Sequence, residues 1–440
     1  MPVNDEVPDK VILSSSHPIR SMWKHINTVL YRLYYAYRGR KLWQKSTRWQ
    51  MTGLPVESDE AVPILYVAWG RIGDLLLATG HLRHLRRWFH PHPVWLLGRP
   101  EVETIVKPYI DVFVPLDEKK EGSQEETQHH LLNQLNRPFS KIIADIHTFY
   151  GGVFVIGRLL EQLQAPQKFI YEGYHLGANL APWRPYPAGF EIIPRQPAHD
   201  PDTEEVSTRH VLYHMAYYIR EVLKRVHIAH ELVCPMKPEL TGEETDESIC
   251  RKFNLEPGKY IAWQPVSNNP KKDYPFPRWF DVIGSFQDQV FVALGTRSEQ
   301  ERLAGRTAPN LINLCGQTTL PETIQLIHQS RMFLGLDSGL SHVASILGQQ
   351  TICVSQNSNL GYFFPYPVEY GFTNQHTVYH PDYVHCSGCF MTCCYEAIVA
   401  TYRKGALCLR TLPVEQIVQK IEGVLEAEED GRHHDGVVQS

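Results

Sequence analysis

Three groups of residues in this sequence have the types and spacing for chemistry. The first is the turn Asp337-Ser338-Gly339, followed by His342. An apolar run over 332–336 precedes it and a small-residue run over 341–348 follows it. A polar turn between a buried strand and a helix offers backbone N–H groups and the positive end of a helix dipole to an anion. Ser338 is placed to cap the helix, Gly339 lets a ligand approach the backbone, and His342 falls in the first turn, facing the same mouth. The same residues also make an ordinary capped strand–turn–helix. The second group is Gly70-Arg71-Ile72-Gly73-Asp74, a carboxylate at the junction of another turn and helix. It reads either as a proton acceptor or as an acid stabilising the helix dipole by ~0.3–1 kcal/mol. Gly70 and Gly73 bracket this turn, either for a ligand or for the tightness of the turn itself. The third group is Cys386, Cys389, Cys393, Cys394 and Cys408, with His385 beside them. Four thiolates at such spacing could hold Zn or Fe as a structural site, and packed thiols are the alternative.

These residues need a scaffold, and the sequence around them alternates strand and helix. Buried strand patterns run over 63–69, 94–98, 112–114 and 141–146, with a helical run over 75–89 between the first two. The pattern restarts with strands over 260–264, 290–295, 311–314, 332–336 and 351–354, and helices over 277–285, 320–330 and 412–425. Such alternation predicts parallel sheets with helices on both faces. Helical apolar spacing over 208–228 leads toward a Pro-containing boundary near 234–245. Two such halves facing each other make a crevice between the C-terminal edges of their sheets, where ligands bind.

The chain has 440 residues and a net charge of −5 at pH 7, enough for two domains and no argument for nucleic acid. No apolar run has the length of a membrane span, and the start lacks a signal-peptide pattern, so a cytoplasmic location is expected. Between residues 19 and 50 lie Arg20, Lys24, Arg32, Arg38, Arg40, Lys41, Lys45 and Arg48 without an acidic residue, interleaved with Trp and Tyr. That composition suits either an anionic membrane surface or a helix packed on the body of the protein. The expected division is a basic/aromatic extension at 1–55, a first Rossmann-like domain at 56–238 and a second at 239–426. The second domain carries the Cys-rich segment 385–408, and 427–440 reads as a disordered tail. The Pro- and aromatic-rich stretch at 173–205 reads as one long loop or insertion.

Four segments carry a resemblance to a known family. Ile72-Gly73-Asp74-Leu75-Leu76-Leu77-Ala78-Thr79 resembles the N-terminal signature of glycosyltransferase family 9, the family of the lipopolysaccharide core heptosyltransferases. Lys272-Asp273-Tyr274-Pro275-Phe276-Pro277-Arg278-Trp279 is similar to its Lys-x-Trp-Pro-x-x-x-Trp segment, with Tyr274 in place of the first Trp. Cys315-Gly316-Gln317-Thr318-Thr319-Leu320-Pro321-Glu322 resembles its Gly-x-Thr-x-Leu-x-Glu stretch, and Asp337-Ser338-Gly339-Leu340-Ser341-His342-Val343-Ala344 its C-terminal signature.

The resemblance implies a GT-B fold, two facing Rossmann-like domains with the cleft between them, 56–238 binding the acceptor and 239–426 the nucleotide sugar. It implies an inverting transfer that requires no metal or other cofactor, from a nucleotide-diphosphate sugar such as ADP-heptose. The implied acceptor is a lipopolysaccharide-core or other cell-surface glycan at the cytoplasmic face of the inner membrane. Asp74 then stands at the position of the general base, taking the acceptor hydroxyl proton. Lys272 stands at that of the cation facing the donor diphosphate, with Lys271 as a neighbour that could take the role. Gly73, Ser267, Asn268, Asp337, Ser338, Gly339 and His342 fall on the donor site, and Glu299 or Glu301 on the ribose or base. Asp145 and His147, at a strand end, are read against acceptor hydroxyls. Some protein O-heptosyltransferases of the family carry a Cys-bound iron finger near the cysteine cluster. That makes protein glycosylation one alternative, and a non-catalytic GT-B binding module another.

Overall fold

The computed structural model describes residues 61–117, 132–145, 151–172, 186–194, 210–228, 236–240, 248–267, 269–386 and 405–435, with isolated positions between 22 and 41. The first sheet is built from β1 (Ile64–Ala68), β2 (Val94–Gly98), β3 (Val112–Pro115), β4 (Lys141–Asp145), β5 (Lys168–Tyr171) and β6 (Glu191–Ile193). The second is built from β7 (Tyr260–Trp263), β8 (Val290–Ala293), β9 (Leu311–Asn313), β10 (Met332–Leu336), β11 (Thr351–Val354) and β12 (Gln375–Val378). All ladders are parallel, in orders β3-β2-β1-β4-β5-β6 and β12-β11-β10-β7-β8-β9. Both are the doubly wound 3-2-1-4-5-6 order, with the second sheet counted from its own first strand. In this order the chain reverses direction between the first and fourth strands, which opens a ligand crevice there. The two facing α/β units expected from the alternation are present.

The strands read as unbroken apolar runs because both of their faces are covered. Leu65 and Val67 point into a core with Leu97, Ile142, Leu159 and Leu160, the last two from α2 (Gly151–Gln162). Ile64 and Tyr66, on the opposite face, join α1 (Ile72–Trp88) and α3 (Val211–Arg225). That second core continues into the other unit through Leu340 and Val343 of α7 (Gly339–Ile346) and Phe333 of β10. Each fully buried side chain of this size contributes ~1.5–3 kcal/mol, so α1, α3 and α7 join the two units through apolar packing. The far face of the second sheet is covered by α4 (Phe276–Gly284) and α8 (Val414–Asp435), through Trp279, Ile283, Ile417 and Ile421.

Two expectations change. Part of the stretch read as one loop, 173–205, forms edge strand β6, because Glu191–Ile193 pairs with β5. Helix α8 runs to Asp435, into the expected tail; Glu and Ala at 426–429 favour a helical backbone. The segment 236–240 still lies on the first unit, where Glu239 N donates to Thr79 Oγ1 at 2.9 Å and its carboxylate pairs with Arg83. Most of the basic extension, His147, Asn268, Cys389, Cys393 and Cys394 lie outside the described residues.

Candidate active site

The residues with chemistry gather at the two switch points. In the first sheet, β1 leads into Gly70–Asp74 and β4 ends at Asp145. In the second, β7 leads into the loop carrying Lys272, and β10 into Asp337–Gly339. The N-terminus of α1 meets the N-terminus of α7. A Cβ on Gly73 would lie 2.9 Å from His342 Cδ2, and one on Gly339 would lie 3.2 Å from Ile72 Cβ. The first is closer than side chains tolerate and the second tighter than most side-chain contacts, so glycine at 73 and 339 lets the helix ends approach. Two positive dipole ends then face one seam, which suits an anionic ligand.

On the second-unit side, Lys272 Nζ donates to the carbonyl oxygen and to Oδ2 of Asp337, both at 3.0 Å, and sits 5.3 Å from the Phe363 ring centroid. Asn359 Nδ2 donates to the same Oδ2 at 2.5 Å. Burial disfavours the Asp337 carboxylate, but Lys272 and Asn359 outweigh it and hold the carboxyl below its usual range. Lys271 is buried and Lys272 keeps a partly open side chain, so Lys272 is the one on Asp337. Ser338 takes the N-cap position of α7 without a side-chain cap; its hydroxyl turns to Gln264 Oε1 instead.

The loop that presents Lys272 is closed on itself. Ser267 N donates to Asp273 Oδ1 at 2.9 Å, and Ser267 Oγ donates to the Asn269 carbonyl at 2.8 Å. Arg302, on α5 (Arg297–Leu303), donates to the Ser267 carbonyl at 3.0 Å and to Asp273 Oδ2. The Ser267 hydroxyl, expected at a phosphate, closes the loop here. Glu299 accepts from Thr296 N at the start of α5 and from Gln264 Nε2 at 3.4 Å, so the buried carboxylate is a helix cap linked to Ser338 through Gln264. Glu301 is exposed.

On the first-unit side, Asp74 is the third residue of α1 and accepts from Arg71 N at 2.8 Å. Its side chain lies in the wall of the seam. Burial lifts its pKa to about 6, against the pull of that N–H and of the charges on Lys272, Arg71 and Arg99. That Lys272 acts on Asp74 across the seam shows how close the two units bring them. Asp145 is placed differently. It is 3% exposed, accepts from the Tyr66 hydroxyl, and lies 3.7 Å from His81 Nε2. Burial pushes His81 down to about 3, with His84 adding to it, so the imidazole is neutral. Asp145 is thus enclosed at the strand end rather than offered to the cleft.

His342 is buried, with one edge of its ring beside Gly73 at the seam. Its ring stacks on Phe364 at 4.4 Å between centroids, and Nδ1 lies 2.6 Å from the Tyr366 hydroxyl. Burial, the largest influence, pushes its pKa down to about 3. Gln264, Arg302, Asn359 and Tyr366 were not singled out in the sequence. The run Gln356-Asn357-Ser358-Asn359 after a strand was the one local signal available. Cys386 ends the short helix Pro381–Cys386 and Cys408 lies partly buried in Leu407–Arg410. Among the described residues no group of three or more His, Cys, Asp or Glu is placed to hold a metal.

Residues 213–387 match the family model described as glycosyltransferase family 9 (heptosyltransferase). Three of the four motif segments fall inside that span. No curated protein sequence matches the chain. Among solved structures, the chain is similar to the ADP-heptose lps heptosyltransferase II of E. coli at 15% identity and a TM-score of 0.56, over 84% of this chain and 100% of that one. It is similar to the family 9 glycosyl transferase of Veillonella parvula DSM 2008 at 15% identity and a TM-score of 0.58, again over 84% and 100%. The E. coli heptosyltransferase WaaC with ADP is 14% identical, with a TM-score of 0.50 over 82% and 100%. At these identities the likeness shows the fold. The expectation of a glycosyltransferase is borne out at family level: the chain carries a family 9 glycosyltransferase segment on a GT-B frame.

Proposed function

We propose that this protein is an inverting glycosyltransferase that moves a sugar, heptose by the family likeness, from an ADP-linked donor to a hydroxyl of a lipopolysaccharide-core or related surface glycan. The observation that carries the reading is the opposition of Asp74 and Lys272 across one seam. A carboxyl lifted to about 6 is a base near neutrality, and an ammonium within its field is an electrostatic partner for a leaving phosphate. In the step, Asp74 takes the acceptor O–H proton while the acceptor oxygen forms its bond to the sugar C1. The bond from C1 to the phosphate oxygen breaks, and its electron pair leaves with the nucleoside diphosphate. Negative charge grows on that phosphate as the bond breaks, so Lys272 stabilises the transition state more than the bound substrate. The paired helix N-termini add fixed partial charge at the same place.

The donor identity rests on the family match and on the ADP-bound relative, and is tested with a donor panel. ADP-heptose, and ADP itself, are expected to raise the melting temperature more than UDP or GDP and their sugars. Stabilisation by UDP or GDP sugars alone would remove the heptosyl reading and leave the fold untouched.

We also propose that the extension before residue 56 holds the enzyme on an anionic membrane surface, at the cytoplasmic face where a lipid-linked acceptor would be met. Met22, Val29, Leu30, Leu33 and Tyr37 are exposed at helical spacing within the basic stretch. Among the described residues no helix is long and apolar enough to cross a membrane. Removing residues 1–55 should abolish co-sedimentation with anionic vesicles; unchanged sedimentation counts against this surface. The cysteine segment is proposed as a structural Zn or Fe site on donor chemistry alone. Protein purified without detectable Zn or Fe would remove it.

A further inference from the structure

The Tyr366 hydroxyl is buried, and among the described residues its hydrogen-bond partner is His342 Nδ1, at 2.6 Å. A buried O–H with no acceptor costs ~1–3 kcal/mol. If Nδ1 carried the proton, it would donate to the tyrosine oxygen and leave the O–H in that state. The hydroxyl therefore donates and Nδ1 accepts. A neutral imidazole has a single N–H, which then belongs to Nε2. The surroundings hold this arrangement in place. The His342 ring stacks against Phe364 and lies nearly parallel to Tyr366, with interplanar angles of 28° and 20°. Tyr366 is fixed by the edge of His210 at 5.4 Å, by Phe372 at 5.0 Å, and through its backbone N–H on Gln375 Oε1 at 2.7 Å.

The other edge of the imidazole faces the seam. A Cβ on Gly73 would stand 2.9 Å from Cδ2 and 3.5 Å from Nε2. His342 is 4% exposed, and Nε2 hydrogen-bonds to none of the described residues. A nearly buried N–H donor is thus aimed where the two helix N-termini meet, beside Lys272 and Asp337, with nothing among the described residues to receive it.

We infer that Tyr366 is a positioning residue that sets the tautomer of His342, donating to Nδ1 so that Nε2–H is held ready to hydrogen-bond an oxygen of the donor's diphosphate. This rests on the donor reading above. It also gives a physical reason for an uncharged donor at this place. Lys272 already supplies a full positive charge, and a second one on His342 would repel it and compete for Asp337. The buried aromatic stack disfavours that second charge.

The test uses the full chain labelled with 15N histidine, in two-bond 1H–15N correlation spectra near neutral pH without ligand. The His342 signal is assigned by its loss in His342→Gln. The wild type is expected to show the Nε2–H pattern, and Tyr366→Phe, which keeps the stacking ring, a shift toward Nδ1–H. By calorimetry, Tyr366→Phe should bind ADP about 2- to 10-fold more weakly, the range of one hydrogen bond. An Nδ1–H pattern in the wild type overturns the inference and leaves the donor reading intact. A shifted tautomer with unchanged ADP affinity overturns the phosphate contact. The expected tautomer with no binding of any nucleoside diphosphate overturns the donor reading and, with it, the ligand assigned to Nε2–H.

Discussion

The two units repeat one construction, a buried strand, a short polar turn and a helix N-terminus, and place an aspartate in each. The environments drive the two carboxyls in opposite directions. Asp337 is buried yet ionised, because Lys272 and Asn359 bond it directly. Asp74 is bonded by a single backbone N–H, feels its cations at a distance, and is lifted to about 6 by burial. Two acids whose surroundings push their pKa values apart are suited to different tasks. Asp337 is an anchor that holds Lys272 and offers no basicity near neutrality. Asp74 can gain and lose a proton there. The comparison teaches that the backbone motif does not assign the role, which comes from what reaches each carboxylate from other parts of the fold.

The largest expected effect follows from that division. Asp74→Asn should lower turnover by about 10²- to 10⁴-fold, the usual span for a general base, and leave ADP affinity unchanged. Asp337→Asn should weaken donor binding as well, because Lys272 loses its carboxylate partner. Equal kinetic signatures in the two variants, measured as turnover against donor affinity, would break the comparison.

Removing the cation between them comes next. Lys272→Gln should cost about 10²- to 10³-fold in turnover, the scale of one preorganised electrostatic group. The pH profile sharpens the point. In the wild type, turnover over donor KM should rise about tenfold per pH unit at low pH and level off near 6, since Asp74 acts as the ionised base. Lys272 favours that ionised form, so in Lys272→Gln the break should move to higher pH. A break that stays in place would mean that the two groups do not feel each other across the seam.

Much of this frame was legible beforehand, for a local reason. Strand–turn–helix units are contiguous, so Gly73, Asp74, Lys272 and the Asp337–Gly339 turn announced themselves within short windows. The partners were not, because they come from elsewhere in the chain. Gln264 reaches Ser338, Arg302 reaches Asp273, Asn359 reaches Asp337 and Tyr366 reaches His342. Asp145 shows the converse. A strand-end acid looked available, and only the fold revealed Tyr66 and His81 around it. Burial of His342 escaped for the same reason, since its aromatic stack lies some twenty residues further on.

The smallest effect concerns stability and tests the raised carboxyl without any substrate. Asp74 binds its proton more tightly in the folded state, at about 6, than in the unfolded chain, near the ordinary 3.8. Folding therefore takes up a proton at this site between those values, and stability gains as pH falls from 7 to 5. Linkage gives a gain of about 1 kcal/mol over that interval from this one group. Asp337 has the opposite sign: its folded pKa is depressed, so its contribution is present above the ordinary value and is lost only at lower pH. His81 and His342, held well below the ordinary histidine value, lose stability over the same interval, but equally in wild type and Asp74→Asn, so the difference between the two proteins isolates Asp74. Urea denaturation at both pH values should show the change from pH 7 to 5 about 1 kcal/mol more favourable in the wild type than in Asp74→Asn, which has no proton to take up there. A change that is the same in both proteins would place the Asp74 carboxyl at its ordinary pKa and remove the asymmetry between the two switch points.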